Sequence, residues 1–427
     1  MKSNWTVKRL GELCEENMSG DWGTEKEKPG SVLCKVIRGT DFILVQKGKL
    51  SELPDRYIDI EKFEKIKLKP GDILVEISGG SKDQPTGRIL FWDKNETMPI
   101  VFSNFIKKIL LKTEIVEPKF FFRYWQFLYF KGITKNYEDR TTNIRNFKLK
   151  EFLENEEIPL PPLPIQRKIV KILDTIHEAI DIQEKIIEKT KELKKSLMAE
   201  LFKYGAPSFR KGRKLKKTEI GEIPEDWEVV RLGEVALDFL GGGTPSTNVR
   251  EYWDGEIPWT TSSIIEEGKV CILKNGQRYI TQLGYENSST KIVPAFNLLV
   301  GTRVGVGKVA INEIDIAINQ DLTGIIINRE KINLFYLAYT LTSPRCQAFF
   351  NNYKRGATIK GIPRSGLETM LIPLPSLPEQ REIAEILQTI DQKIEIEKRK
   401  KELYEELFKT MLNKIMNQEI DVEKIEV

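Results

Sequence analysis

Residues 158–176 read IPLPPLPIQRKIVKILDTI, and residues 372–390 read IPLPSLPEQREIAEILQTI. Pro159, Pro161, Leu163, Pro164, Gln166, Arg167, Ile169, Ile172, Leu173, Thr175 and Ile176 each meet an identical residue 214 positions later. A second match pairs WTVKRLGEL from Trp5 with WEVVRLGEV from Trp227, 222 positions apart. Self-similarity at this scale marks a tandem duplication. The difference between the two offsets means that the first intervening segment is about eight residues longer than the second. Each copy runs in the same order: a Trp-x-Val-x-Arg-Leu-Gly-Glu opening, a long mixed segment, a proline-rich turn, then a long periodic stretch.

That stretch predicts a helix. Pro164 and Pro378 stand where a missing N–H costs nothing, at the first helical turn. Apolar residues then follow a 4,3 spacing: Ile169, Leu173, Ile176, Ile180, Ile187, Leu197 and Leu201 in the first copy. The second copy gives Ile383, Leu387, Ile390, Ile394, Tyr404, Phe408, Met411 and Ile415. A sustained period of 3.5 is the seam of a coiled coil. Both seams break at one place, at Gln183 and at Glu397, which reads equally as a register-fixing polar pair or as a solvated gap. A helix from Pro164 to Phe202 is about 58 Å long at 1.5 Å per residue. Its apolar stripe needs a partner, and the other copy, returning after a whole globular segment, supplies an antiparallel one.

Between the helices lie short β-type runs, GDILVEI from Gly71, NLLVGTRV from Asn297, KVAI from Lys308 and LTGIIIN from Leu322, punctuated by Gly, Pro and Asn. Two aromatic stretches, Phe120 to Phe130 and Leu334 to Phe350, predict helices in corresponding places. The expected fold class is therefore α/β: two mixed α/β domains joined by two long antiparallel coiled-coil helices in a pseudo-two-fold tandem repeat. Boundaries fall at 1–157 and 225–371 for the globular domains, 158–204 and 372–427 for the turns with their helices, and 205–224 for a basic linker.

Length and composition agree with a multidomain globular protein: 427 residues, 40% hydrophobic and 30% charged. No apolar run approaches the roughly 20 residues of a membrane span, and the N-terminus lacks the apolar core of a secretory signal, so a cytoplasmic protein is expected. Cys14, Cys34, Cys271 and Cys346 are scattered, and His177 is the sole histidine. A structural zinc site needs four ligands at paired spacing, so no metal is expected and the thiols read as reduced and buried. One histidine also removes most routes to acid-base or triad catalysis near neutral pH. The net charge of +4 conceals a basic run, Lys203 to Lys217, whose seven cations leave about −3 elsewhere. Such a run reads more readily as a solvated linker than as a phosphate-binding strip.

Enzymatic motifs fail when tested. GTRVGVGKV from Gly301 lacks the hydroxyl that closes a phosphate loop and has Thr302 where a variant reading needs Gly. The GxGxxA string from Gly305 precedes a β-type run instead of a helix, so a glycine-rich hairpin is the expectation there. No Asn/Asp-Pro-Pro-Tyr/Phe tetrapeptide is present to hold a flipped base; Pro161-Pro162 is flanked by Leu160 and Leu163. Catalytic residues and cofactors are accordingly expected to be none.

The duplicated Ile-Pro-Leu-Pro-x-Leu-Pro-x-Gln-Arg turns with their heptad helices strongly resemble the conserved regions of type I restriction-modification specificity subunits. So do TEIGEIPEDWEVVRLGEV from Thr218 and GGGTPSTNVREYWDGEIPW from Gly241, the latter resembling the opening of a target recognition domain. The resemblance covers essentially the whole chain. It implies two domains that each read one half of a bipartite double-stranded DNA target, with the coiled coil setting their separation. It also implies that methyltransferase subunits, two of them, dock on the conserved regions and bring the S-adenosylmethionine chemistry, and that separate motor and restriction subunits use ATP and cut. The first domain lacks the GGGTPST string, so its half-site is expected to differ. Ile165 stands where the second copy has Glu379, so a partner contact needing that carboxylate is expected to be weaker in the first repeat.

Base-edge contacts specify while phosphate contacts position, so polar and basic loop residues are the candidates. These are Lys82, Gln84, Arg140, Asn143 and Arg145 in the first domain and Arg303, Lys308, Gln320, Arg355 and Lys360 in the second. For any one of them ordinary solvated surface is the competing reading. Two rival functions stay open: a nuclease or methyltransferase fragment, and a coiled-coil scaffold that binds no DNA.

Overall fold

The computed structural model describes residues 5–81, 84–139, 145–354 and 361–425. Contacts divide the chain into two units, Met1–Gln183 with Lys400–Val427, and Glu184–Arg399. Each long helix, Leu163–Tyr204 and Leu377–Met416, is therefore shared, one half in each unit.

In both units the two repeated motifs hydrogen-bond to each other. The opening strand Thr6–Arg9 pairs antiparallel with Glu157–Leu160, and Glu228–Arg231 pairs with Leu371–Leu374 in the same register: Thr6 faces Leu160 as Glu228 faces Leu374. The Arg-Leu-Gly-Glu that follows turns the chain identically twice. The backbone N–H of Arg9 donates to Glu12 at 2.7 Å and that of Arg231 to Glu234 at 3.0 Å, a box that closes the first turn. Every variable segment thus starts and ends at one two-stranded clasp.

The glutamine of the proline-rich motif explains its own repetition. Gln166 and Gln380 are both fully buried. Gln166 Oε1 accepts from the backbone N–H of Glu117, while Nε2 donates to the carbonyls of Ile115 and Pro161. Gln380 does the same with Asn333, Lys331 and Pro375. Each amide therefore ties its own turn to the entry of an aromatic helix, Pro118–Phe130 in one unit and Leu334–Thr342 in the other. The second aromatic stretch, expected as one helix, is two: Ser343 is extended, Pro344 has no N–H to continue the ladder, and a new helix runs Pro344–Lys354.

Sheet topology shows that the variable segments share a fold. In the first unit the strand order is Cys14–Ser19, Ile106–Leu111, Ile73–Glu76, Ile89–Phe91; in the second it is Ala236–Gly241, Leu322–Ile327, Asn297–Gly301, Val309–Asn312, with Val270–Leu273 added at the edge. A second sheet joins Asp55–Asp59, Ser31–Ile37 and Ile100–Phe102, the last two parallel. Its counterpart joins Arg278–Ile280, Trp253–Thr260, Ile316–Ile318 and Lys291–Val293, again with one parallel pair. The Gly301–Val309 stretch is a hairpin, as its glycines suggested.

Within each unit the helix halves pack antiparallel. His177 lies against Phe408 in the first unit, and Lys194 pairs with Asp391 at 2.6 Å in the second. Ile169, Leu173, Ile180, Phe408 and Ile415 are buried in the first unit's core, with Ile176 and Met411 half-buried beside them. Leu201, Ile383 and Leu387 join the second unit's core, with Leu197 against it. Ile187 and Ile394 are buried and Ile390 half-buried, but Tyr404 is exposed. Gln183 and Glu397 are buried, which removes the solvated-gap reading.

The basic segment is folded, although Lys211, Lys214 and Lys217 stay exposed to solvent. Leu215–Thr218 and Gly221–Pro224 form a hairpin, and three of the seven cations are paired: Lys203 with Glu222, Arg210 with Glu200, and Arg213 with Asp226 and Glu379. Glu379, 1% exposed, also accepts from Trp227 Nε1 at 2.9 Å and from the backbone N–H of Ala206 at 3.1 Å. The carboxylate expected to meet a partner is therefore consumed inside the unit. In the first copy Ile165 and Trp5 pack against the core at the corresponding positions.

Candidate nucleic-acid interface

In the second unit, neighbouring strands finish together. Thr260 lies beside Ile318, Gly301 beside Leu322 and Gly241 beside Thr323. The loops that follow Gly241, Thr260, Gly301 and Ile318 must therefore gather at one end. Asn319 N–H donates to Thr260 O at 3.0 Å and Thr302 N–H to Asp321 O at 2.8 Å, and Ile362 N–H reaches Thr302 O at 2.7 Å. The first unit repeats this end, with Ser103 N–H on Ile37 O at 2.9 Å and Phe147 N–H on Ile77 O at 2.8 Å. A glycine sits at the tightest crossing in both. A Cβ on Gly20 would fall 2.0 Å from Phe102 O, and one on Gly242 would fall 2.2 Å from Asn319 O, so no side chain fits at either.

The end of the second unit is polar. Gln320 is exposed on a turn fixed from below by buried Asn319, whose amide bonds Asp321, and its Oε1 accepts from Thr244 at 2.7 Å. Arg303 is exposed and makes no ion pair with any described residue. Lys308 instead bends inward, half-buried, with Nζ 3.0 Å from Ser262 O. Arg355 and Lys360 lie outside the described residues. Not among the sequence candidates, yet on the same end, are Thr244 and the linked trio Thr261, Ser263 and Gln277. The signal was present in the GGGTPST and WTTSS strings, because hydroxyls and amides clustered directly after a strand suit groove-edge hydrogen bonding.

In the first unit Gln84 is exposed, and its backbone N–H donates to Ser81 Oγ at 3.1 Å. Arg145 is committed inward, its Nη1 3.0 Å from Glu138, a carboxylate that also takes the N–H and hydroxyl of Thr86. Glu76, 2% exposed, holds Arg88 by two bonds of 2.8 and 2.6 Å. Burial alone would lower the Arg88 guanidinium, but pairing with Glu76 raises it above its usual value. Glu138 thus ties Thr86, two residues after Gln84, to Arg145. Lys82, Arg140 and Asn143 lie outside the described residues. Asn104 and Phe105, exposed on the turn equivalent to Gln320, were not anticipated. Arg140 and Arg355, Ile144 and Ile359, and Arg145 and Lys360 recur at one offset of 215, a repeat legible without structure.

Amides, hydroxyls and one unpaired guanidinium can bond base edges and phosphates; they do not form a nucleophile with its base. No cluster of metal-ligating side chains occurs among the described residues, and no helix among them is long and apolar enough to cross a membrane.

Comparison with known proteins agrees with this geometry. The family model for the type I restriction modification DNA specificity domain matches twice, at residues 2–192 and 224–406. The chain is 30% identical over 426 residues to the "Putative type I restriction enzyme MjaX specificity subunit" of Methanocaldococcus jannaschii, covering 98% of this chain and 94% of that one. It is 27% identical over 438 aligned positions to the MjaVIII specificity subunit of the same organism, covering 99% and 94%. The solved S subunit of a type I restriction-modification system from M. genitalium shares the fold, with a TM-score of 0.58 at 14% identity over 97% of this chain and 96% of that one. Two copies of the family's domain, each closed by the same clasp and together spanning most of the sequence, place this chain in the family of type I restriction-modification specificity subunits, the non-catalytic DNA-recognising components of those enzymes.

Proposed function

We propose that each unit reads one half of a bipartite duplex target with its gathered loop end, and that the paired helices set the distance between halves. Two methyltransferase subunits dock on the duplicated scaffold, motor and restriction subunits complete the complex, and the assembly works in the cytoplasm. The observation that carries this reading is the loop end itself: one backbone arrangement built twice, lined by different side chains in each copy. Unlike readers on like scaffolds suit two unlike half-sites.

The test is selection of bound DNA by the reconstituted complex. Gln320→Ala and Arg303→Ala should each relax preference within one half-site, by about 1–3 kcal/mol where a bidentate base contact is lost. The other half-site should be untouched. An unchanged selected sequence in both variants removes the loop end as the reader.

A further inference from the structure

One half-buried guanidinium in the second unit has no counter-charge among the described residues. Arg345, in the first turn of the helix Pro344–Lys354, lines a cavity of about 300 Å³. Met198 and Phe202 of the first long helix, with Pro344, Cys346 and Pro373, give the cavity an apolar lining. Its other charges, Lys203 and Glu222, are spent on each other at 3.0 Å. The Arg345 guanidinium lies near Gly221, where an added Cβ would come 3.4 Å from its Nη2, and it forms no ion pair or side-chain hydrogen bond with any described residue.

Other withdrawn arginines of the chain are matched: Arg88 by Glu76, Arg123 by Asp174, Arg145 by Glu138 and Arg213 by Glu379. Burial draws Arg345 below the usual arginine value, and no carboxylate opposes that pull. Taking a charge from water without pairing it is unfavourable, and a carboxylate supplied from outside reverses the deficit.

The lining says what kind of molecule brings it. A DNA backbone calls for several cations and no acid, whereas among the described residues this cavity offers one unpaired cation, Arg345, on apolar walls beside Glu222. A carboxylate on a short apolar-flanked peptide fits. The matching place in the first unit differs: Lys131, directly after the helix Pro118–Phe130, donates to Asn417 at 3.2 Å and lies over Phe127. That cation is an exposed lysine, so among the described residues a half-buried, unpaired guanidinium lines the second unit's cavity and not its counterpart.

Its position has a consequence for reading. The helix Pro344–Lys354 also carries Gln347, whose amide donates at 2.8 Å to Gly307 O, in the turn that follows Gly301 at the loop end. From Arg345 to its last residue, Lys354, that helix runs about 14 Å at 1.5 Å per residue.

We propose that Arg345 anchors an aspartate or glutamate, flanked by apolar side chains, from one of the methyltransferase subunits. This rests on the reading of the chain as their scaffold. The contact makes the two docking events unequal, because among the described residues the first unit offers no matching guanidinium.

The test titrates the full chain with its methyltransferase subunit, comparing wild type, Arg345→Gln and Arg345→Lys. Arg345→Gln should weaken one of the two binding steps tenfold or more and leave the other alone, with Arg345→Lys in between. The melting temperature of the free Arg345→Gln chain should be equal to wild type or higher, since an uncompensated charge is gone. Two unchanged binding steps overturn the proposal. So does a weakened step accompanied by a fall in melting temperature that Arg345→Lys does not restore, which would mark a structural role. A loss confined to binding of random duplex DNA, with a smaller salt dependence, would assign the site to a phosphate and also overturn it. If the wild-type chain binds no methyltransferase subunit, the scaffold reading falls first and this proposal with it; if only the variants match wild type, the scaffold reading stands.

Discussion

Glu379 separates the two copies more sharply than any other residue of the repeated motif. Where the first copy has Ile165 in an apolar setting, the second buries a carboxylate that binds a guanidinium, an indole N–H and a backbone N–H at once. The hydrogen bond from Arg213 to Glu379 raises the Arg213 guanidinium above its usual value. The sequence reveals the difference between the copies but not its meaning, because Arg213 lies 166 positions away in a run that composition marks as a linker. Glu379→Ile, which copies the first repeat, should destabilise the second unit by about 1–3 kcal/mol, since the buried donors of Trp227 and Ala206 lose their acceptor while Arg213 keeps Asp226. Glu379→Ile with Arg213→Met should recover only the part of that loss that comes from Arg213, as an apolar side chain supplies Trp227 and Ala206 with no acceptor. Thermal unfolding of the three chains decides it; a single variant as stable as wild type would show that the network carries no net stability. Candidate base readers show the same limit. Arg145 and Lys308 have the composition of readers, yet Glu138 and the carbonyl of Ser262 turn them inward.

Among elements, the long helices were the most legible, because a 3.5-residue period sustained over many turns suits a paired helix and no strand or loop. What the period missed is local. Tyr404 keeps the spacing but stays exposed, and Met198 and Phe202 are buried beside Leu201 as the stripe widens against the second unit's core. Gln183 and Glu397 carry the seam through buried polar positions. The helices are expected to act as a ruler. Deleting residues 183–189 together with 397–403 removes one heptad from each helix and keeps the phase of both seams. Each helix then shortens by about 10 Å at 1.5 Å per residue. Duplex DNA advances about 3.4 Å per base pair, so the preferred spacer should contract by about three base pairs with both half-site sequences retained. A folded, assembled deletion variant that still selects the original spacing would end the ruler idea.

For the molecule as a whole, the duplication was readable from two short matches, but their relation to each other was not. Sequence separates WTVKRLGEL from IPLPPLP by about 150 residues, and only the pairing of Thr6–Arg9 with Glu157–Leu160 shows that they are the two edges of one clasp. The same pairing at Glu228–Arg231 and Leu371–Leu374 defines where a reading domain can be exchanged. Everything between those strands belongs to the second variable segment, while Gln380, which ties the motif to the aromatic helix entry, hydrogen-bonds to backbone atoms of that segment, the N–H of Asn333 and the carbonyl of Lys331. A donor segment of different sequence can therefore keep those bonds if it keeps the helix entry. Replacing residues 232–370 with the matching segment of a related chain, and leaving both clasp strands and both long helices intact, should change one half-site and preserve both the other half-site and the spacer. Selection of bound DNA by the hybrid complex reads all three at once. A change in the untouched half-site would mean that the units do not read independently, and a change in spacer would mean that the reading domain, and not the helices alone, sets the distance.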